Sequence, residues 1–166
     1  MVENINKAFD LLKTFPKEDR DRISLEIIER LEDKAEWDKI TSTPKSQKWL
    51  EVQSKRALKE CEKHINKLSL TFLSMPLDNL LREKAYWKQF DELPFQIRKL
   101  AEKNYQLWKE NPQHPGLRFK KIHAKLPIYS FRVGMMHRTV GVETGDGRVV
   151  WFWVGSFELF NELLDQ

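Results

Sequence analysis

The segment Asn111-Pro112-Gln113-His114-Pro115-Gly116 separates two kinds of sequence pattern in this chain. Before it, apolar residues recur at helical spacing, and after it come short runs rich in β-branched and aromatic residues. The four runs are Leu117 to Ala124, Ile128 to Gly134, His137 to Glu143 and Arg148 to Gly155. Helices followed by a series of strands are typical of an α+β fold. The turn Gly145-Asp146-Gly147 indicates that the last two strands form a hairpin, so we predict an antiparallel meander.

The last strand differs from the others because it does not alternate between apolar and polar residues. Val149 to Val154 is an unbroken apolar run that includes Trp151, Phe152 and Trp153. Such a run predicts a strand covered on both faces, as a central strand with another element packed over it would be. We interpret its aromatic residues as core rather than as a platform for stacked bases.

The part of the chain before Asn111 is predicted to be helical. A first helix ends at Phe15-Pro16, and a second begins near Lys17 with an apolar stripe at Ile23, Ile27 and Leu31. A third begins at Thr43-Pro44, with Thr43 as its N-cap, and runs to about His64. The remaining predictions are a connector at Leu68 to Pro76, a helix hairpin at Asp78 to Phe90 and Phe95 to Trp108, and a short last helix at Glu158 to Leu164.

Composition excludes several classes of protein. The chain has 166 residues, enough for one domain or two small units. Its only cysteine is Cys61, which excludes an intramolecular disulfide and argues against a Cys-rich zinc site. The N-terminus lacks the pattern of a signal peptide, and no apolar run approaches the length of a membrane span. We therefore expect a soluble cytoplasmic protein that has no membrane partner.

Charge is distributed unevenly along the sequence. The stretch from Glu18 to Asp38 has nine acidic and four basic residues, a local net charge of −5. The stretch from Arg98 to Arg138 has ten basic and two acidic residues, a local net charge of +8. The second value is typical of a surface that binds a polyanion. The acidic stretch is a candidate cover for the basic one.

The positions after Leu77 resemble one family. The matching residues are Leu93-Pro94, Asn104-Tyr105, Leu107-Trp108, Asn111-Pro112, His114-Pro115, Leu117, Phe119-Lys120, Tyr129-Ser130, Arg132-Val133-Gly134, Arg138, Gly141-Val142 and Trp151-Phe152-Trp153-Val154-Gly155-Ser156. They are similar to a branch of the RelE/ParE superfamily of bacterial toxins and cover most of Leu77 to Leu164. The resemblance implies a helix hairpin packed on a four-stranded antiparallel sheet, which agrees with the pattern of helices and strands.

The N-terminal part resembles the short helical antitoxins that accompany such toxins. The resemblance lies in Phe15-Pro16, the Ile-rich acidic helix, Trp37-Asp38, Ser46 and Ala57-Leu58. Met75 falls where a free-standing toxin would begin, so we predict an antitoxin-like segment at 1–74 and a toxin domain at 75–166. The chain would then be a toxin-antitoxin fusion, natural or constructed, whose antitoxin-like segment neutralises the toxin in cis or in a swapped homodimer.

Relatives of the RelE type cleave messenger RNA on the ribosome without a metal or other cofactor. The transferring phosphate gains negative charge, so such a site needs cations as well as a base and an acid. The candidate catalytic residues are Lys120, Lys121, His123, Arg132, His137 and Arg138. The candidate RNA-binding residues are Lys120, Lys121, Lys125, Arg132 and Arg138. On the resemblance, Arg132 and Arg138 lie at positions where family members hold phosphate.

The sequence departs from the family at its C-terminus. Related sequences have a His and a Tyr shortly after the Gly-Ser pair, whereas this chain has Phe157 and Phe160, which transfer no proton. Enzyme activity is therefore left open. One alternative is a catalytically degenerate protein that keeps binding or regulatory functions, including contact with operator DNA. Another is a ParE-like inhibitor of DNA gyrase, because the two types share a fold.

Overall fold

The computed structural model describes residues 2–68 and 84–165, which divide into two compact units. The first unit contains the residues up to Glu36, and the second begins at Trp37. The predicted boundary between residues 74 and 75 lies outside the described residues. So do most of the predicted connector and the start of the helix predicted at Asp78. The division into residues 1–74 and 75–166 stays a prediction.

Two helices account for the first unit. Helix α1 is Val2–Lys13 and helix α2 is Lys17–Thr41, so the last turn of α2 belongs to the second unit. Pro16 stands just before α2, and Glu18 and Asp19 lie in its first turn, where carboxylates interact favourably with the helix dipole. The predicted stripe on α2 is poorly covered, since Ile27 and Leu31 are exposed and Ile23 is half-buried.

Helix α3, Pro44–Leu68, begins at the predicted residue and ends one turn later than predicted. The Thr43 hydroxyl accepts a hydrogen bond from the backbone N–H of Ser46 at 3.1 Å, which confirms Thr43 as the N-cap. The predicted hairpin follows as α4, Lys84–Glu92, and α5, Phe95–Glu110, with Leu93-Pro94 between them. The chain ends in α6, Phe157–Asp165.

A four-stranded antiparallel sheet in the order β1-β2-β3-β4 forms the centre of the second unit. The strands are β1, Lys120–Lys121, β2, Ile128–Gly134, β3, His137–Glu143, and β4, Val149–Ser156. The α+β prediction is confirmed, as are the bounds of β2 and β3. Strand β1 is much shorter than predicted. Pro115–Leu117 forms a 3₁₀ turn and Arg118 takes a left-handed conformation with φ of 49°, so pairing starts only at Lys120.

Strand β4 is buried on both faces, as predicted, but it is not a central strand. It lies at the end of the sheet, with β3 as its partner. In place of a second neighbouring strand, the Gln89 side chain on α4 accepts a hydrogen bond from the backbone N–H of Val154 at 3.0 Å. A helical side chain thus occupies the edge of the sheet, one way in which proteins protect edge strands.

Each face of the sheet has its own core. We call the two sides the α3 face and the α5 face. The core of the α3 face contains Trp37, Leu50, Ala57, Cys61, Ile122, Ile128, Val140, Val142, Val150, Phe152, Trp153, Phe157, Phe160 and Leu164. The core of the α5 face contains Tyr86, Phe90, Leu93, Ala101, Tyr105, Leu117, Phe131, Val133, Val149, Trp151 and Val154. Alternate residues of β2 and β3 point to opposite faces, so Ser130, Arg132 and Arg138 belong to the α3 face.

Candidate nucleic-acid interface

Arg132 and Arg138 lie side by side on the α3 face. They are directly opposite each other in the register of β2 and β3, next to the turn that joins these strands. The backbone carbonyl of Gly134 in this turn accepts hydrogen bonds from both, from Arg132 Nε at 3.2 Å and from Arg138 Nη1 at 3.3 Å. The structure therefore brings together the two arginines for which the family resemblance implies a phosphate-binding role.

The two arginines differ in exposure. Arg138 is only 3% exposed, and it also donates to the His137 carbonyl at 3.1 Å. Its guanidinium carbon lies 5.1 Å from the ring centroid of Phe157, a distance at which a cation and an aromatic face attract each other. Arg132 is half-buried, with Nη2 at 3.4 Å from the sulfur of Met135. Arg138 is thus enclosed while Arg132 lies nearer the surface.

Trp37, in the last turn of α2, covers the sheet beside Arg138. Its indole Nε1 donates a hydrogen bond to Ser130 Oγ at 3.1 Å. Its ring stacks on Phe157 with centroids 5.2 Å apart, and it contacts Phe160 edge-on at 5.1 Å. Trp37 is completely buried. The last turn of α2 thus lies on the sheet face that carries the two arginines.

The lysine candidates lie near the opposite end of β2. Lys120 is half-buried and forms an ion pair with Asp38, the residue after Trp37. Lys121 and Lys125 are exposed, and Lys121 Nζ is 3.4 Å from the Lys125 carbonyl oxygen. In the register of β1 and β2, Lys120 is opposite Ser130, two residues from Arg132 on the same strand, whereas Lys121 is opposite Tyr129.

His123 has the hydrogen bonding of a structural histidine. Its Nδ1 accepts from the backbone N–H groups of Lys125 at 3.2 Å and Leu126 at 2.9 Å. The ring proton must therefore be on Nε2, which lies 3.1 Å from the Gln47 carbonyl oxygen. Both ring nitrogens are occupied and the residue is buried, so we leave His123 out of the proposed catalytic groups.

Gln47 on α3 binds the segment around His123, and the sequence analysis did not predict this role. Its side-chain amide donates to the carbonyls of Thr41 at 2.6 Å and Ile122 at 2.8 Å, and its oxygen accepts from the Ala124 N–H at 2.8 Å. The segment that carries Lys121 and Lys125 is therefore attached to α3. A single glutamine in a polar helix gives no sequence signal for this role.

His137 is at the other end of the sheet, next to Arg138. It is half-buried, and burial lowers its pKa below the ordinary 6.5, with a further lowering by the charge of Arg138 and an opposing effect of Glu158. A histidine of this kind is neutral near pH 7 and can accept a proton. His137 is next to Arg138 along β3, but by the alternation of the strand its side chain starts from the opposite face of the sheet.

The two phenylalanines that depart from the family pattern are core residues. Phe157 and Phe160 are 1% and 0% exposed, and both contact Trp37. Phe160 also contacts Trp153 at 5.0 Å and Trp49 at 5.2 Å, both nearly perpendicular. The prediction that the aromatic residues of β4 form core is also confirmed, because none is more than 3% exposed.

The described residues show neither a metal site nor a membrane helix. Across residues 2–68 and 84–165, no three side chains of His, Cys, Asp or Glu come close enough together to hold a metal ion. In the same ranges, no helix combines the length and the apolar character needed to cross a bilayer.

Comparisons with known proteins give one structural similarity. No protein-family model matches the sequence, and no curated protein is similar to it. Among solved structures, the chain is similar to a RelB-RelE antitoxin-toxin complex from Methanococcus jannaschii, with a TM-score of 0.43 and 20% sequence identity. The alignment covers 49% of this chain and 95% of the other.

Proposed function

We propose that this chain is a toxin-antitoxin fusion whose toxin-like domain, residues 75–166, binds RNA on the α3 face of its sheet. In the resting chain the part of the antitoxin-like segment (residues 1–74) that begins at Trp37 covers that face in cis. The RNA is held by Arg132 and Arg138 through its phosphates, and cleavage without a metal, on the pattern of RelE-type proteins, is the activity to test. The cytoplasm is the proposed location.

The position of Trp37 carries this proposal. Its indole is hydrogen-bonded to Ser130 and stacked on Phe157, the ring that Arg138 also contacts. Asp38 beside it forms an ion pair with Lys120, so the same turn of α2 contacts one of the predicted cations directly. A segment that closes over basic residues in this way lowers their accessibility to a polyanion.

The chemistry available on this face is limited to a few groups. Arg132 and Arg138 supply positive charge, which is the main requirement for stabilising a phosphate that gains charge in the transition state. Neither histidine candidate lies beside them on this face, because His123 is engaged at both nitrogens and His137, by the alternation of β3, projects from the α5 face. We therefore propose phosphate binding for this face and assign no proton-transfer group to it.

The decisive experiment opens the α3 face in the full-length chain. The double variant Trp37→Ala, Asp38→Lys removes the stacked ring and reverses the charge beside Lys120. We call this variant the opened chain. We expect it to bind single-stranded RNA and to inhibit translation in vitro, while the native chain does neither. Adding Arg132→Met and Arg138→Met should abolish both effects. Trp87→Ala, which removes a half-buried tryptophan that contacts Tyr86 and Phe90 on the α5 face, is the control for loss of stability.

If the opened chain is folded and neither binds RNA nor inhibits translation, the proposal is wrong. A gyrase supercoiling assay on the same samples tests the ParE-like alternative, which predicts inhibition of supercoiling with no effect of added RNA.

A second candidate function is a binding protein without nuclease activity, and the burial of Phe157 and Phe160 favours it. It predicts that the opened chain binds RNA but leaves it intact. Introducing Phe157→His and Phe160→Tyr into the opened chain then tests whether only proton-transfer groups are missing. Losing a general acid or base typically lowers the rate by about 10² to 10⁴, so restored cleavage would be easily measured.

A further inference from the structure

Helix α3 has two faces of opposite character. On one face, residues spaced three or four apart are all buried, and they are Ser46, Leu50, Ser54, Ala57 and Cys61. The other face carries basic side chains at the same spacing. These are Lys45, Lys48, Lys55, Arg56, Lys59 and Lys63, and every one of them is exposed. At 3.6 residues per turn the six lie within an arc of about 100° around the helix axis. We call this set the basic ridge.

The charges of the ridge are available to an external anion. From Lys45 to Lys63 the sequence has six basic and three acidic residues, a local net charge of 6 − 3 = +3. Three of the lysines pair with carboxylates: Lys55 with Glu51 at 2.6 Å, Lys63 with Glu60 at 2.8 Å and Lys45 with Asp165 at 3.0 Å. Ion pairs between side chains as exposed as these are weak, so a lysine can exchange its carboxylate for a phosphate.

The residues around the lysines argue against two kinds of anionic partner. Single-stranded nucleic acid is held by stacking on aromatic side chains, and none of the exposed side chains described on α3 is aromatic. Trp49 is half-buried and contacts Phe152 and Phe160 in the core. A membrane surface needs an exposed apolar face, but the apolar face of α3 is buried against the sheet and the ridge includes only Val52.

The shape of the ridge suits duplex DNA. From Lys45 to Lys63 it is straight and about 27 Å long, at 1.5 Å per residue. Lys48, Lys55 and Lys59 lie on one side of Val52 around the helix, and Lys45, Arg56 and Lys63 lie on the other side. Two rows of cations match the two rows of phosphates that border a groove. The major groove of B-form DNA is wide enough for an α-helix, whereas that of A-form RNA is too narrow.

We propose that the basic ridge binds the phosphate backbone of duplex DNA without sequence preference. Five of its six cations are lysines, which hold phosphates as point charges and do not by themselves read bases. This inference goes beyond the proposed function, because the ridge is on the side of α3 opposite to the core of the α3 face. Its side chains are exposed while Trp37 covers the sheet, so the native chain is the form that binds.

The test measures binding of the native full-length chain to a DNA duplex of about 20 base pairs, roughly two turns, by fluorescence anisotropy. Two duplexes of unrelated sequence should bind within about twofold of each other, since phosphate contacts carry no sequence information. With about five phosphates contacted, the logarithm of the affinity should fall with the logarithm of the salt concentration with a slope of about −4.5.

A triple variant tests the ridge directly. Lys48→Gln, Lys55→Gln and Lys59→Gln should weaken DNA binding at least about tenfold and make the salt slope less steep by about 2.7, or 0.9 for each lost contact. The matched control is Lys99→Gln, Lys103→Gln and Lys109→Gln, which removes the same charge from exposed positions on α5 and should weaken binding less than about threefold. Circular dichroism checks that both variants are folded.

The inference is overturned if the α5 control weakens binding as much as the ridge variant, because net charge alone then explains the affinity. It is also overturned if single-stranded DNA, duplex RNA or phosphatidylserine vesicles bind the native chain as tightly as duplex DNA does. A preference of more than about tenfold between the two duplexes would show base readout and refute binding through the backbone alone. None of these outcomes affects the proposed function, which is tested by RNA binding of the opened chain.

Discussion

Replacing Trp37 by alanine should destabilise the second unit more than any other single change in the antitoxin-like segment. Truncation of a fully buried tryptophan costs about 3 to 5 kcal/mol through lost apolar contact and the cavity left behind. The ring also contacts three other aromatic rings, and its N–H satisfies Ser130, whose hydrogen bond contributes about 1 kcal/mol. We expect a loss of about 4 to 5 kcal/mol in the free energy of unfolding, measured by urea denaturation followed by circular dichroism.

Two further variants separate the contributions to that loss. Trp37→Phe keeps stacking on Phe157 but removes the N–H and part of the volume, so it should cost about 1 to 2 kcal/mol. Trp49→Ala removes a half-buried ring that contacts Phe152 and Phe160, and should cost less than Trp37→Ala. A loss below about 1 kcal/mol for Trp37→Ala would show that the end of α2 is not packed on the sheet in solution, and the covering of Arg138 would have to be abandoned.

Three other predictions test separate features. Gly141→Ala would place a methyl group 2.6 Å from the Val149 side chain and should cost about 1 to 3 kcal/mol, whereas Gly145→Ala, with open space around it, should stay within about 0.5 kcal/mol in thermal unfolding. His137→Gln should flatten the pH dependence of stability. Because the folded pKa of His137 is lowered, the unfolded chain binds more protons just below pH 6.5, and stability falls as the pH drops through that window. Gln47→Ala should cost about 2 to 3 kcal/mol from three lost hydrogen bonds and speed amide hydrogen exchange at Ala124.

The bounds of β2 and β3 could be predicted closely from the sequence. In β2 and β3 the spacing is short and the turn at Gly134 is tight, so the bounds follow from pattern alone. The position of β4 at the end of the sheet could not be predicted in this way. An unbroken apolar run indicates that both faces of a strand are covered. It does not show how many strands pair with it, and β4 is buried on both faces although it pairs with β3 alone.

The same distinction applies to the candidate site. That Arg132 and Arg138 lie together follows from their place on two strands of one hairpin, which local sequence determines. The surroundings of Arg138 are not local, because Phe157, which Arg138 contacts, stacks on Trp37 about a hundred residues earlier in the chain. His123 is similar, because its structural role depends on Gln47, 76 residues away. Residue type and spacing can thus nominate a site, but distant packing partners decide which of its members face solvent.

The contacts with Trp37 explain why positions 157 and 160 are phenylalanine. Compared with the RelE/ParE pattern, they stand where related sequences have proton-transfer groups. In the folded chain they form one aromatic cluster with Trp37, and a His or Tyr in their place would bury a polar group whose desolvation costs free energy unless it finds a hydrogen-bond partner. The two phenylalanines therefore fit the proposed fusion, in which the covering segment is part of the same chain. On that proposal, packing against Trp37 and proton transfer place opposing demands on positions 157 and 160, and phenylalanine meets the first.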